Sequence, residues 1–328
     1  MPVTVRKSSR SCSFERRVGS TSTTVISFAS DTRLSATVEP TWPAPSITIF
    51  TASFRKSAIL VRFASRRAGA PGVAYFAAMS DSKPLTRMYV PGDLQPGRSC
   101  TLPPPQAHHA MRVLRLKRGE SVILFNGDGA EYAAVVIEAS RDRFALDVTG
   151  REAMDREAPF AVTLAQAVSS GERMDYTIQK AVELGVAAIQ PLEARRSVVR
   201  LSEDRAQKRL AHWQAVATAA CEQCGRNRVP RVLPLMQLDE FLAGRAARRE
   251  GERRVLLSQR SARGLRDLDR PGGAIVVLAG PEGGFSPEEE RAAVQAGFAP
   301  IRLGPRVLRT ETAAVAALAA MQALWGDF

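Results

Sequence analysis

Leu278-Ala279-Gly280-Pro281-Glu282-Gly283-Gly284-Phe285-Ser286-Pro287-Glu288-Glu289-Glu290 is the stretch that decides how this chain is read. It grows out of Ala274 to Leu278, a continuous apolar run of the kind buried on both faces of a parallel sheet. A glycine-rich loop and a helix start follow. The first thought is a phosphate cradle, and the residues argue against it. No Lys-Ser/Thr follows the glycines, and their spacing is not that of a dinucleotide fingerprint. Ser286 is a good N-cap, Pro287 suits the first helical position, and Glu289 completes a capping box. Three glutamates already complement the positive helix end, so a phosphate there would meet like charge. Such a loop suits close approach of the main chain to a flat or neutral ligand. The plainer reading is a tight turn.

Working outward, strand and helix alternate on both sides of this loop. Phe160 to Val168 reads as a strand, Glu172 to Leu184 as a helix, Val186 to Ile189 as a strand, and Glu203 to Cys224 as a helix capped by Ser202. Val232 to Leu235, Val255 to Leu257 and Ile301 to Leu303 are further short strands, and Thr310 to Trp325 is an Ala-rich last helix. This alternation predicts a mostly parallel α/β sheet. Upstream, the text is strand-rich around one helix from Gln106 to Arg115, with a strong turn at Asn126-Gly127-Asp128-Gly129. That pattern predicts a small β-barrel. A charged linker, Arg151 to Glu157, joins the two parts.

A second informative stretch is Leu303-Gly304-Pro305-Arg306-Val307-Leu308-Arg309-Thr310-Glu311-Thr312-Ala313. A short strand ends, and a loop with two arginines enters the last helix. Loops after the carboxyl ends of strands are where α/β sheets bind ligands.

The chain has 328 residues and a formal charge of +13, and that charge is uneven. Residues 1–84 hold 12 Lys/Arg against four acids, with 24 Ser/Thr, whereas the remaining 244 residues hold 34 against 29. The first segment shows no sustained period and predicts a disordered extension rather than a packed domain. It resembles a transit peptide in composition, or a basic arm, or text upstream of a true start at Met79; the last reading is preferred. No apolar run is long enough to span a membrane, and four scattered cysteines suit a reducing cytoplasm. Cys221-Glu-Gln-Cys224 does not make a metal site, because His108, His109 and His212 do not supply a second ligand pair at the right spacing. His109, Trp213 and Trp325 read as packing or surface residues.

These motifs together resemble the RsmE family, uridine N3-methyltransferases of 16S ribosomal RNA in the SPOUT superfamily. The resemblance rests on Gly280-Pro-Glu-Gly-Gly-Phe-Ser and Leu303-Gly-x-x-x-Leu-Arg-Thr-Glu-Thr-Ala. Supporting text is His109-Ala-Met-Arg112-Val-Leu-Arg115, Gln179-Lys180-Ala-Val-Glu183-Leu-Gly185-Val, Arg196-Ser197-Val198 and Glu222-Gln223-Cys-Gly-Arg226. It spans residues 87–328 and leaves 1–84 uncovered. One departure is Ser170, where the family has Lys before Gly171.

The resemblance implies a PUA-like β-barrel over 86–153 and a trefoil-knotted SPOUT domain over 158–328. It implies S-adenosylmethionine as cofactor, held by Leu278, Gly280, Glu282, Gly283, Leu303, Gly304 and Leu308. Arg309 is the candidate cation for a developing uridine anion, and Glu311 the candidate base. Candidate RNA contacts are Arg112, Arg115 and Lys117 on the barrel, with Arg173, Lys180, Arg195, Arg196 and Arg226 beyond it. The expected partners are 16S ribosomal RNA within the small subunit and a second copy of the chain, in the cytoplasm, with no membrane and no metal. A ribose 2′-O-methyltransferase and a non-catalytic assembly factor are the rival readings.

Overall fold

The computed structural model describes residues 85–140, 143–245 and 250–328. The chain divides into two units between Pro84 and Leu85. The expectations for residues 1–84, Met79 included, lie outside the described residues.

The described part begins with a five-stranded sheet. Its strands are β1 (Thr86–Tyr89), β2 (Ser99–Thr101), β3 (Ser121–Phe125), β4 (Ala130–Ala139) and β5 (Phe144–Ala153), in the order β1-β3-β4-β5-β2. β1 runs parallel to β3 and the other pairings are antiparallel. Helix α1 (Pro104–Arg112) lays Ala107 and Ala110 on a core of Leu124, Phe144, Leu146 and Val148. The sequence places this helix two residues later because Pro103, Pro104 and Pro105 read as a breaker. Proline is tolerated in a first turn, where the N–H has no helical partner anyway. The β3–β4 turn forms as expected. Asn126 Oδ1 accepts from Asp128 N–H, Asp128 Oδ1 accepts from Ala130 N–H, and Gly127 and Gly129 take positive φ.

The second part is a seven-stranded parallel sheet: β6 (Val162–Ala167), β7 (Ala188–Glu193), β8 (Arg231–Val232), β9 (Met236–Gln237), β10 (Arg253–Leu257), β11 (Ile275–Ala279) and β12 (Ala299–Ile301). The order is β8-β7-β6-β11-β10-β12, with β9 also against β7. Alternate residues of the central strands feed two cores. On one face, Val162, Leu164, Val277 and Ala279 pack against α2 (Glu172–Glu183), α3 (Glu203–Cys224) and α6 (Thr310–Trp325). On the other, Ala165, Leu192, Leu256, Val276 and Leu278 pack against α4 (Leu238–Ala243) and α5 (Pro287–Gln295). Trp213 and Trp325 are buried in the first core. α4 escapes the sequence reading because six residues carry too little period.

The two sheets are locked together by the motif around Glu222 to Arg226. Glu222 Oε1 accepts the Tyr89 N–H at 2.9 Å, and the carbonyls of Gly225 and Arg226 accept Arg87 Nη2 at 3.2 and 3.4 Å. Arg87 also pairs with Glu131 and stacks on the Phe125 ring, 5.1 Å from its centroid. Gly225, at φ +89°, ends α3 in the left-handed conformation that frees those carbonyls.

A candidate cofactor cavity at the carboxyl ends of the strands

Three strands end at one place. Leu257, Ala279 and Ile301 are the last residues of β10, β11 and β12, and all three line a cavity of about 630 Å³. The loops that leave these strands form its walls. The first is the glycine-rich loop Gly280 to Phe285. The second carries Leu303, Val307, Leu308 and Arg309, with Thr310, Glu311 and Ala313 of α6. The third is Ser258-Gln259-Arg260.

The two quoted turns therefore meet, although about 20 residues separate them in sequence. They are hydrogen-bonded: Thr310 Oγ1 donates to the Gly280 carbonyl at 2.6 Å. The capping box at Ser286 also forms. Ser286 Oγ accepts the Glu289 N–H at 3.2 Å, and Glu289 Oε2 accepts the Ser286 N–H at 2.7 Å. The other oxygen of the buried Glu289 accepts the Arg195 N–H at 2.7 Å, which pins the loop after β7 beside the glycine loop. Gly284 adopts φ +63° with open space around its Cβ position, so here glycine is required by the backbone turn. Gly280 and Gly283 are restricted by contact: a Cβ would come within 3.3 Å of the Phe285 ring and 3.2 Å of Arg196 Cβ.

Glu282 is held by its neighbours. Its Oε1 accepts from Ser170 N–H at 2.9 Å, from Ser170 Oγ at 3.1 Å and from Arg173 Nη1 at 3.2 Å. Burial alone would push its carboxyl up, but those hydrogen bonds outweigh it and hold it below the usual carboxylate range. Its Oε2 is buried with no partner among the described residues. The cation that Ser170 does not supply comes from Arg173.

Of the expected cofactor residues, Gly280, Glu282, Gly283, Leu303 and Leu308 line the cavity. Leu278 does not. Strand alternation turns its side chain to the α4/α5 core, where it is wholly buried. Gly304, at φ +86°, lies on a second cavity, lined also by Leu265, Ala316, Ala320 and Leu324. The loop Ser258 to Arg260 was missed. Its signal was its position just after a short apolar strand.

Arg309 and Glu311 both line the cavity. Four arginines do so, and three have partners. Arg173 pairs with Glu282, Arg196 Nη1 donates to the Gly283 carbonyl at 3.2 Å, and Arg260 pairs with Glu290 at 3.2 Å. The exposed Arg309 side chain, at the N-cap of α6, has none among the described residues.

Among the expected RNA contacts, Arg112, Arg115, Lys117, Arg195 and Arg196 are exposed. Arg173 carries the Glu282 pair, and Lys180 Nζ pairs with Glu183 at 2.7 Å. Arg226 is a correction. It is 4% exposed, pairs with Glu157, and donates to the Val182 and Val186 carbonyls at 3.0 and 2.9 Å. Four of its five guanidinium N–H donors are taken by Glu157 and these two carbonyls, and its burial leaves no surface for a phosphate. Cys221 lies in the core with its thiol pushed up to about 12 by burial, which removes any thiolate chemistry. Among the described residues no cluster of His, Cys, Asp and Glu could hold a metal, and no helix is long and apolar enough to cross a membrane.

Comparison with known proteins agrees with this geometry. Residues 156–322 match a family model described as an RNA methyltransferase domain, and residues 102–149 match an RNA methyltransferase PUA domain. The ribosomal RNA small subunit methyltransferase E of Buchnera aphidicola (strain APS) is 30% identical over 75% of this chain and 96% of its own. That of Bacillus subtilis is 34% identical over 66% of this chain and 86% of its own. The chain belongs to the ribosomal RNA small subunit methyltransferase E family. Two solved structures extend the likeness to three dimensions. A ribosomal RNA small subunit methyltransferase E from Neisseria gonorrhoeae, bound to S-adenosylmethionine, is 43% identical with a TM-score of 0.69 over 74% of this chain and 99% of its own. A methyltransferase from Legionella pneumophila, in complex with the same cofactor, is 39% identical with a TM-score of 0.71 over the same shares. Like its family, the chain is an RNA methyltransferase that uses S-adenosylmethionine.

Proposed function

We propose that this chain transfers a methyl group to N3 of a specific uridine in 16S ribosomal RNA of the small subunit, with cofactor and acceptor meeting in the strand-end cavity. The observation that carries this reading is Arg309, which lines the cavity with no side-chain partner among the described residues while the other three arginines there are paired.

The donor set suits S-adenosylmethionine. Leu257, Ile301, Leu303 and Leu308 offer apolar walls to a purine, and the volume lies within the usual range for ligand sites, about 300–1,000 Å³. Glu282, on the cavity wall, offers its carboxylate to a ribose hydroxyl or an amine. When bound, the cofactor supplies an electrophilic methyl on a sulfonium. The chain's own residues do the rest. The main chain of Gly280 to Gly284 holds the donor so that the acceptor nitrogen can lie in line with the methyl, a positioning task. The acceptor must also lose a proton, because neutral uridine is a poor nucleophile. Glu311, which lines the same wall, is the residue we assign to accept the N3 proton. Arg309 and the positive end of α6 then stabilise the charge that develops on the uracil ring.

The uridine must be unstacked to present this edge. The exposed Arg112, Arg115 and Lys117 on the small domain, and Arg195 and Arg196 by the cavity, supply phosphate contacts. A trefoil knot in the second part belongs to the same reading. So does pairing of two copies in the cytoplasm through α6, whose exposed Leu324 lines the second cavity.

The test is to incubate small subunits lacking the modification with the protein and labelled cofactor, and then to analyse the nucleosides. The expected product is N3-methyluridine. A 2′-O-methylated nucleoside would contradict the base assignment, and no product at all would favour an assembly factor.

A further inference from the structure

We propose that Gln166 is a positioning residue for methyl transfer: its buried carboxamide sets the register between the glycine-rich turn and the start of α6. This inference rests on the reading of the strand-end cavity as the cofactor site.

Gln166 is the penultimate residue of β6, in register with Ala279 of β11, and it is wholly buried at the centre of the parallel sheet. An apolar residue would be the ordinary occupant of such a position, because a buried amide costs free energy unless it is hydrogen-bonded. Its Nε2 faces three acceptors: the Ala167 carbonyl at 3.0 Å, Thr310 Oγ1 at 3.1 Å and the Gly280 carbonyl at 3.3 Å. Thr310 Oγ1, accepting from Gln166, donates its own hydrogen bond to the Gly280 carbonyl at 2.6 Å. One side chain thus ties the end of β6 to two cavity walls that lie 114 and 144 residues further along the chain. Gly280 begins the loop that approaches the ligand. Thr310 follows Arg309, so its position fixes where that guanidinium stands. The amide does not line the cavity itself and acts through these two residues.

Among the described residues no donor meets the buried Gln166 Oε1. A carboxamide kept there fits a requirement for registry rather than for core stability.

The experiment titrates S-adenosylmethionine calorimetrically into the full chain, comparing wild type, Gln166→Met, Thr310→Val and the double variant, with thermal melting and steady-state kinetics on each. Leu308→Trp, which fills the cavity, controls for the site. Gln166→Met is expected to raise the cofactor Kd about ten-fold. The KM for the cofactor should rise with it and the KM for RNA should not. Thr310→Val should act similarly, and the double variant should be little worse than either single one, because both break the same tie. Thr310→Ser, which keeps the hydroxyl, should recover most of the lost affinity. Should Gln166→Met fail to fold, the comparison of Thr310→Val with Thr310→Ser decides. The proposal is overturned if Gln166→Met binds the cofactor as wild type does, if the two single effects multiply in the double variant, or if Thr310→Val is without effect. If Leu308→Trp binds as tightly as wild type, the reading of the cavity fails instead.

Discussion

Arg309 and Arg226 both stand beside helix ends, and the sequence treats them alike as candidate RNA or substrate contacts. Their surroundings separate them. Arg226 follows the left-handed Gly225 and turns inward to Glu157 and two carbonyls, whereas Arg309 caps α6 with its side chain in the cavity wall. No pattern in the linear text carries that difference, because a buried arginine needs a partner that lies far away along the chain. Leu278 shows the same limit in another form. The strand was legible, but which alternate face looks toward the ligand depends on where the helices pack. The capping box at Ser286 and Glu289 was fully legible, since all its atoms lie within one turn. At this scale the prediction concerns Arg309. Arg309→Ala should fold and bind cofactor normally, while kcat for RNA methylation falls by about 10²–10³-fold, as when a charge-stabilising donor is lost. Single-turnover kinetics with a parallel calorimetric titration checks it, and unchanged turnover would remove Arg309 from the chemistry.

Loops and their anchors make up the next scale. The cavity exists because three strand ends are parallel and adjacent, so three separate loops emerge on one side. Two of them were found through their glycines and arginines; Ser258 to Arg260 has neither a glycine nor a motif. In the fold it nonetheless holds the arginine loop, with Gln259 Nε2 donating to the Arg306 carbonyl at 3.2 Å. The joint between the sheets is likewise made of loop ends. Glu131 is its acidic centre, pairing with Arg87 and Arg156. Burial alone would raise its carboxyl, but the two guanidiniums outweigh that and hold it below the ordinary range. A carboxyl with a lowered folded value stabilises the protein above its unfolded value, and that stabilisation is lost as pH falls through the folded one. Glu131→Gln should therefore lower the unfolding free energy at neutral pH by roughly 2–3 kcal/mol. The difference from wild type should shrink below about pH 4. Denaturant melts at pH 7 and pH 3.5 check this; equal stability at both would show that the joint does not depend on the charge.

At the scale of the whole molecule, the alternation of strand and helix was enough to give a parallel sheet covered on both faces, because period alone decides that. Which surfaces stay open was not legible. The Ala-rich α6 buries Ala314, Ala317, Leu318 and Met321 in the core, yet Leu324 remains exposed beside a second cavity of about 580 Å³. If two copies pair there, Leu324→Arg should give a monomer by light scattering while the melting temperature stays close to wild type. A dimer that persists would place the pairing elsewhere. The account as a whole turns on one cavity walled by residues 280–285, 303, 307–311 and 257–260. A crystal structure of this chain with S-adenosylmethionine tests it most directly. The account predicts the cofactor between those three loops, within hydrogen-bond distance of the main chain of Gly280 to Gly284. Cofactor ordered at any other surface, with these loops making no contact to it, would contradict it.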